Sequence, residues 1–145
     1  MSVPTWRREL SKADYMYQTY RLNVRIGEMV VNGPKKYREN YGDHLIKTCL
    51  QTLEESQIAN SVYVSKNTDR ADYEVRRMAL RRMIGRVHNI STSFKLYKDL
   101  IKKCDGQDPI KLRDEEQEVG ERCAYIVSLI KGIIESDKKK LKGIK

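Results

Sequence analysis

Residues 72–103 read DYEVRRMALRRMIGRVHNISTSFKLYKDLIKK and carry an apolar pattern with alternating steps of three and four residues. The apolar positions are Leu80, Met83, Val87, Ile90, Phe94, Tyr97 and Ile101. Because an α-helix turns by about 100° per residue, these side chains share one face. No proline interrupts the stretch, and its interior glycine, Gly85, costs about 1 kcal/mol relative to alanine. The pattern predicts one long amphipathic helix with a buried side.

Basic side chains follow both borders of this apolar face. Arg77, Arg81, His88, Lys95 and Lys102 fall along one border, and Arg82 and Arg86 fall along the other. The segment carries ten basic residues between Arg70 and Lys103, but only four acidic ones between Asp69 and Asp99, so local pairing cannot neutralise it. A guanidinium group is a planar fork of donors that matches phosphate oxygens.

These side chains are therefore the predicted nucleic-acid contacts of the long helix. The predicted set is Arg76, Arg77, Arg81, Arg82, Arg86 and Lys95. The alternative is that the arginines lie over the edge of the core or pair with carboxylates of a neighbouring helix, as arginines beside an apolar stripe often do. Glutamates of the last helix, such as Glu115 and Glu118, are candidate partners.

The composition points to a helical domain with anionic partners. With 145 residues the chain has the length of one ordinary domain, and its three prolines and eight glycines favour long helices over a sheet. The formal net charge of +9 attracts nucleic acid, an anionic membrane surface or an acidic protein face.

The first predicted helix runs from Pro4 to the stop signal Asn32-Gly33-Pro34. Proline disfavours helix in the residue before it, and glycine adopts unusual backbone conformations at low cost. The apolar stripe predicted for this helix is Trp6, Leu10, Ala13, Tyr17, Tyr20, Val24, Gly27 and Val31.

The second predicted helix begins within residues 35–40 and runs to about Ser65. Its stripe is Leu45, Cys49, Thr52, Ser56, Ala59 and Tyr63. Thr68 or Asp69 then caps the third helix, which is expected to end near residues 104–106.

The last predicted helix starts with Asp108 as its cap and Pro109 in its first turn. Its stripe is Leu112, Glu116, Val119, Cys123, Ile126, Ile130 and Ile133. Residues 137–145, DKKKLKGIK, are predicted to be a lysine-rich tail that is too charged to pack. Together the segments predict an all-α domain over residues 1–136, folded as an antiparallel up-down-up-down four-helix bundle.

Tyrosines are candidates for stacking with bases. Tyr17, Tyr20 and Tyr97 lie on predicted core stripes, whereas Tyr15, Tyr37 and Tyr41 are freer. Tyr37 is the strongest of these candidates, because cations surround it in the turn before the second helix. The predicted second nucleic-acid contact is therefore Lys35, Lys36, Tyr37 and Arg38.

The sequence lacks the patterns of catalytic and metal sites. Its three cysteines form no CxxC pair, its two histidines have no partner spacing, and no GxSxG, glycine-rich phosphate loop or HExxH occurs. We therefore expect no enzyme activity, no catalytic residues, no bound metal and no cofactor. No stretch approaches the ~20 apolar residues of a membrane span, so a cytoplasmic protein without membrane contact is expected.

Residues 33–63, GPKKYRENYGDHLIKTCLQTLEESQIANSVY, contain a more specific pattern. It comprises Pro34-Lys35, Tyr37-Arg38, Gly42, an apolar heptad over residues 45–53, and Ala59-Asn60. This pattern resembles the accessory variability determinant family of diversity-generating retroelements. Four-helix-bundle proteins encoded within intervening sequences of bacterial 23S ribosomal RNA genes share it. Two departures are Gly33, where the family usually has phenylalanine, and the absence of a tryptophan near the end of the fourth helix.

The resemblance implies a non-enzymatic accessory subunit. Such proteins form a homopentameric barrel, bind the reverse transcriptase of the retroelement, and bind template RNA and complementary DNA through a basic surface. They support the mutagenic reverse transcription that diversifies a target gene. Two alternatives stay open: a 23S ribosomal RNA intervening-sequence protein of unknown role, and a structural adaptor that docks an acidic protein partner.

Overall fold

The computed structural model describes residues 14–105 and 109–142, and it is helical in almost all of them. Helix α1 spans Asp14–Val31, a short α2 spans Lys35–Tyr37, and a π-helical turn spans Arg38–Gly42. Helices α3 (Asp43–Asn60), α4 (Arg70–Asp105) and α5 (Pro109–Lys142) follow. The described residues include no strand, so the predicted all-α class is confirmed for this part of the chain. Nor do they include a helix that is both long and apolar enough to cross a membrane.

Helix α4 matches its prediction closely. All seven residues of its predicted stripe are buried. The helix begins directly after Asp69, whose Oδ1 accepts a hydrogen bond from the Ala71 amide at 3.5 Å, and it ends at Asp105. A side-chain acceptor at this position satisfies one of the free amides of the first turn.

The four long helices enclose one core. Helix α1 packs against α3 and α5, and α4 also packs against α3 and α5. Each helix contributes fully buried side chains, for example Leu22, Leu45, Met83 and Ile130. The core is therefore continuous across the four helices rather than divided into pairs.

The predicted stripe of α1 is wrong. Its described members Tyr17, Tyr20, Val24 and Val31 are between 40% and 62% exposed. The buried face instead contains Tyr15, Leu22, Ile26, Met29 and Val30, together with the polar residues Asp14, Gln18 and Thr19. The predicted start of the helix, with Pro4, Trp6, Leu10 and Ala13, lies outside the described residues.

Local hydrogen bonds explain how the buried face of α1 tolerates polar groups. The Thr19 hydroxyl donates to the Tyr15 carbonyl oxygen at 2.7 Å. The Asp14 carboxylate accepts from Gln18 Nε2 at 3.4 Å and from the Tyr125 hydroxyl at 3.3 Å. Buried polar groups are tolerated when they find such partners. Helix α1 thus has two apolar faces, and the one with fewer polar residues faces outward.

Helix α3 ends at Asn60, earlier than the predicted Ser65. The predicted stripe is confirmed as far as Ala59, but Tyr63 is exposed. The chain leaves the helix because Val64 is buried and because the Arg76 side chain bonds the carbonyl oxygens of Ala59 and Val62. These contacts hold the segment after the helix in a non-helical path.

Helix α5 begins at Pro109 as predicted and continues to Lys142, while its predicted cap, Asp108, lies outside the described residues. Most of its predicted stripe is buried, and Glu116 and Ile133 are half-buried. The prediction that residue 137 already belongs to a tail that does not pack is wrong, because the Asp137 side chain is buried and paired with Arg76; residues 143–145 of that tail lie outside the described residues. The charged Asp137 side chain can be buried because Arg76 of α4 supplies the opposite charge.

Gly33 is required by a close approach rather than by its backbone angles. Its φ lies outside the left-handed region, contrary to the expectation of an unusual conformation. A Cβ at this position would collide with the hydroxyl of Tyr97 and would lie 3.1 Å from the Met29 carbonyl oxygen. The buried Tyr97 side chain therefore disfavours a larger residue at position 33.

Gly33→Ala is expected to lower the free energy of unfolding by about 1–3 kcal/mol, because the added methyl group overpacks a filled site. Urea denaturation of the purified variant measures this change. Gly85→Ala is the control, because nothing lies within 4 Å of a Cβ there and alanine should stabilise the helix by about 1 kcal/mol. Adding Tyr97→Phe, which removes the colliding hydroxyl, should restore part of the loss. A Gly33→Ala protein as stable as the parent would contradict the proposed collision.

Candidate nucleic-acid interface

Arg76 faces the protein interior. Its Nε lies 2.7 Å from Asp137 Oδ2, and its Nη1 donates to the carbonyl oxygens of Ala59 and Val62 at 3.0 and 2.9 Å. Only 13% of its side chain is exposed. Burial raises the pKa of the adjacent Tyr15 hydroxyl, and Arg76 acts to lower it. Arg76 thus links α4 to α5 and to the end of α3, and it is not available to a phosphate.

Arg82 and Arg86 point toward α3. Arg82 Nε lies 2.8 Å from Glu55 Oε2, although 44% of the Arg82 side chain remains exposed. Arg86 Nη1 donates to the amide oxygen of Gln51 at 3.1 Å and has no carboxylate partner within the described helices. Arg82 therefore pairs with a carboxylate of the neighbouring helix α3, which was the alternative to phosphate binding. The charge of Arg86 is not compensated by such a pair.

The other border of α4 stays at the surface. At 100° per residue a single row is formed by Arg70, Arg77, Arg81, His88, Lys95 and Lys102, which we call the α4 basic row. At a rise of 1.5 Å per residue the row is about 48 Å long. Every member is exposed except Arg77, which is half-buried.

Carboxylates pair with some members of the α4 basic row and not with others. Arg77 Nε lies 3.6 Å from Glu74, and Arg81 has no charged partner in the part of the chain that the structure describes. Lys95 Nζ, in contrast, lies 3.0 Å from Asp99 Oδ2, and this hydrogen bond raises the pKa of Lys95 and lowers that of Asp99. Arg70 also lies 3.9 Å from Glu74, so Arg81 in the first half and Lys102 in the second half are the lysine and arginine members of the row without an ion pair among the described side chains.

The predicted second contact lies at the connection between α1 and α3. Lys35 and Lys36 are exposed, with Lys36 Nζ 5.2 Å from the centroid of the Tyr37 ring. Tyr37 itself packs partly against the core. Arg38 Nη2 donates to the Val31 carbonyl oxygen at 2.8 Å, so this arginine caps the end of α1.

The two predicted contacts are not brought together. The connection that contains Gly33 lies against Tyr97, in the second half of α4, whereas Arg76 to Arg86 lie in the first half. Among the contacts predicted on α4, the residues that remain at the surface are Arg77, Arg81, Arg82, Arg86 and Lys95. Among those predicted in the connection between α1 and α3, they are Lys35 and Lys36.

Lys98 forms a second buried ion pair. Its Nζ lies 2.8 Å from Glu115 Oε1, and only 5% of the lysine side chain is exposed. The same ammonium lies 5.4 Å and 5.7 Å from the ring centroids of Phe94 and Tyr97. This lysine joins α4 to α5 and takes no part in the exposed basic row.

Two of the three thiols are buried and unreactive. Burial raises the pKa of Cys49 and of Cys123 to about 12, so both stay protonated near neutral pH, whereas Cys104 is exposed. No group of three or more histidine, cysteine, aspartate or glutamate side chains among the described residues could hold a metal ion.

Carboxylates on α5 compensate the arginines beside them. Burial acts to raise the pKa of Glu118, but hydrogen bonds from Arg25 and Arg122 outweigh it and lower the pKa. Arg25 Nε lies 2.9 Å and Arg122 Nε lies 3.0 Å from Glu118 Oε2. The prominent positive charge is therefore on α4.

Tyr63 lies at the surface, although the apolar periodicity of the second helix predicted a core position for it. It is 73% exposed, because α3 ends before it. The polar run that follows it, Ser65 to Asp69, is the sequence signal that marked the end of regular structure.

Comparison with known proteins identifies no family or function for this chain. No protein-family model, curated protein or solved structure matches the chain.

Proposed function

We propose that this protein is a non-enzymatic, nucleic-acid-binding accessory subunit of a diversity-generating retroelement. The observation that carries the proposal is the α4 basic row, a long line of exposed cations in which Arg81 has no described charge partner. The net charge of +9 adds a long-range attraction for polyanions.

The proposed interface consists of cations that remain at the surface. They are Arg77, Arg81, Arg82, Arg86, Lys95, Lys35 and Lys36. Arg76 is left out because it bonds Asp137 and the carbonyl oxygens of Ala59 and Val62, and Arg38 is left out because its Nη2 donates to the Val31 carbonyl oxygen. Phosphate contacts position a nucleic acid without reading its bases, so binding should depend on charge and shape.

The proposed architecture is an antiparallel up-down-up-down bundle. Two ion pairs support it: Arg76, near the start of α4, meets Asp137 near the end of α5, and Lys98, near the end of α4, meets Glu115 near the start of α5. Short connections between long helices also favour antiparallel neighbours.

The proposed assembly is a homopentameric barrel, as the family resemblance implies. The exposed apolar face of α1, with Tyr17, Tyr20, Val24 and Val31, supports self-association, because contiguous apolar surface of this kind marks interaction sites. A reverse transcriptase is the proposed protein partner, with template RNA and complementary DNA as ligands, in the cytoplasm. Co-purification with a candidate reverse transcriptase, before and after a high-salt wash, tests this part of the proposal.

RNA affinity should fall steeply with salt, because each neutralised phosphate contributes about −0.7 to −0.9 to the slope of log affinity against log salt concentration. Replacing Arg77 and Arg81 together by glutamine should reduce the magnitude of that slope by about 1.4–1.8. Fluorescence anisotropy with a labelled RNA over a salt series measures both quantities.

The matched control replaces Lys47 and Lys131 by glutamine, because this pair has the same charge but lies on α3 and α5, outside the α4 basic row. Equal slopes for the two double variants would mean that net charge alone, and not the row, attracts RNA. Absence of RNA binding by the parent protein would overturn the proposal and leave the adaptor for an acidic protein partner.

A further inference from the structure

Tyr63 has the largest exposed fraction among the outward-facing apolar and aromatic side chains of the described residues, at 73%. It lies in the connection between α3 and α4. Large aromatic rings are usually kept from water, so a ring this exposed is available to a ligand.

Hydrogen bonds hold the backbone around Tyr63 in one conformation. The Thr68 hydroxyl donates to the Tyr63 carbonyl oxygen at 3.2 Å and accepts from the Ser65 amide at 2.7 Å. The next residue, Val64, is buried in the protein. A ring presented from a fixed backbone loses less conformational freedom on binding than one on a mobile loop.

A cavity of about 250 Å³ lies beside the ring, between the 60–64 segment and α5. Its lining includes Asn60, Tyr63, Ile133, Ser136 and Lys140, and the Arg76–Asp137 ion pair also borders it. Pockets that enclose whole small molecules measure about 300–1,000 Å³, so this cavity admits only part of a ligand. Its walls combine an aromatic ring, an aliphatic side chain and polar groups.

Lys140 lines the cavity on the side of α5. Lys140 Nζ lies 5.8 Å from the centroid of the Tyr63 ring, over one of its faces. Lys66, in the same connection, and Lys139, next to Lys140 on α5, are exposed, whereas Lys138 is paired with Glu135 at 3.6 Å. The ligand that suits this site has a flat ring and a negative charge beside it.

We infer that Tyr63 and the adjoining cavity bind one unpaired base of a single-stranded nucleic acid. The base stacks on the open face of the Tyr63 ring, while Lys140 contacts a flanking phosphate. Any base can stack on an aromatic ring, so the site does not select a sequence. The bases of a duplex are stacked inside the double helix and cannot reach the ring. The inference rests on the proposed nucleic-acid function and adds a preference for single strands to the charge-driven contact of α4.

Tyr63→Leu tests the inference, with Tyr63→Phe as the conservative variant. Affinity for a labelled single-stranded RNA at one salt concentration should fall about 5- to 150-fold in Tyr63→Leu, the range for the loss of one stacked base. Tyr63→Phe should bind like the parent, and the affinity of both variants for a blunt duplex of equal length should be unchanged. Because stacking involves no counterion, the salt slope of Tyr63→Leu should also match the parent.

Leu50→Ala is the control, because it removes an exposed apolar side chain from α3, outside the cavity and outside the proposed α1 interface. Circular dichroism of each variant establishes that the fold is retained. If Tyr63→Leu binds single-stranded RNA as tightly as the parent, the stacking site is overturned while the proposed function stands. If the parent binds no RNA, both are overturned.

Discussion

Arg76→Ala is expected to lower the free energy of unfolding by about 3–5 kcal/mol, the range for a buried ion pair that loses one partner. The substitution leaves the Asp137 carboxylate, 4% exposed, without its counterion. It also removes the donor to the carbonyl oxygens of Ala59 and Val62. Urea denaturation followed by far-ultraviolet circular dichroism measures the loss.

Arg81→Ala is the matched control for Arg76→Ala, because it removes an exposed arginine from the same helix and should change stability by no more than about 0.5 kcal/mol. A double-mutant cycle with Asp137→Ala separates the ion pair from the carbonyl contacts, since residues in contact have non-additive effects. Equal stability of the Arg76→Ala and Arg81→Ala proteins would show that Arg76 is not the buried link between helices.

Lys98→Met is expected to cost about 3–5 kcal/mol, because it leaves Glu115 charged and largely buried without a partner. Adding Glu115→Leu should recover most of this loss, since replacing a buried pair by apolar side chains of similar volume is often neutral or stabilising. The same urea titration, applied to the single and double variants, measures both effects.

Lys95→Met gives the comparison for Lys98→Met, because Lys95 makes an ion pair of similar length with Asp99 but is 67% exposed. Exposed ion pairs contribute little to stability because water screens their charges, so this variant should unfold almost as the parent does. A loss for Lys95→Met as large as that for Lys98→Met would contradict the assignment of Lys98 to the core.

Helices α4 and α5 were predictable because each has a single strong apolar stripe. In α4 the start after Asp69 and the seven buried positions followed from capping chemistry and a 100° turn per residue. The prediction for α1 failed because this helix has two apolar faces. The face that is buried contains Asp14, Gln18 and Thr19, whose hydrogen-bond partners are visible only after folding.

The positive charge of the candidate interface was predictable from the sequence, but the residues that form the interface were not. The excess of basic residues on α4 is evident from the sequence, and Arg81 remains exposed. Arg76 is adjacent to Arg77 in the chain, yet it points inward, because the residue that pairs with it is 61 positions away. Tyr63 was misplaced for a similar reason, since Arg76 bonds the carbonyl oxygens of Ala59, at the end of the preceding helix, and of Val62, just after it.

By itself the sequence determined that the chain is helical, where α4 and α5 begin, and that the protein has a large positive charge, because propensity, capping and periodicity act over a few neighbouring residues. The tertiary structure alone decided which face of α1 is buried, which arginines stay at the surface, and that Asp137 belongs to the core. Those outcomes depend on contacts between helices far apart in the chain, and a buried charge is tolerated only where the fold brings its partner within hydrogen-bond distance.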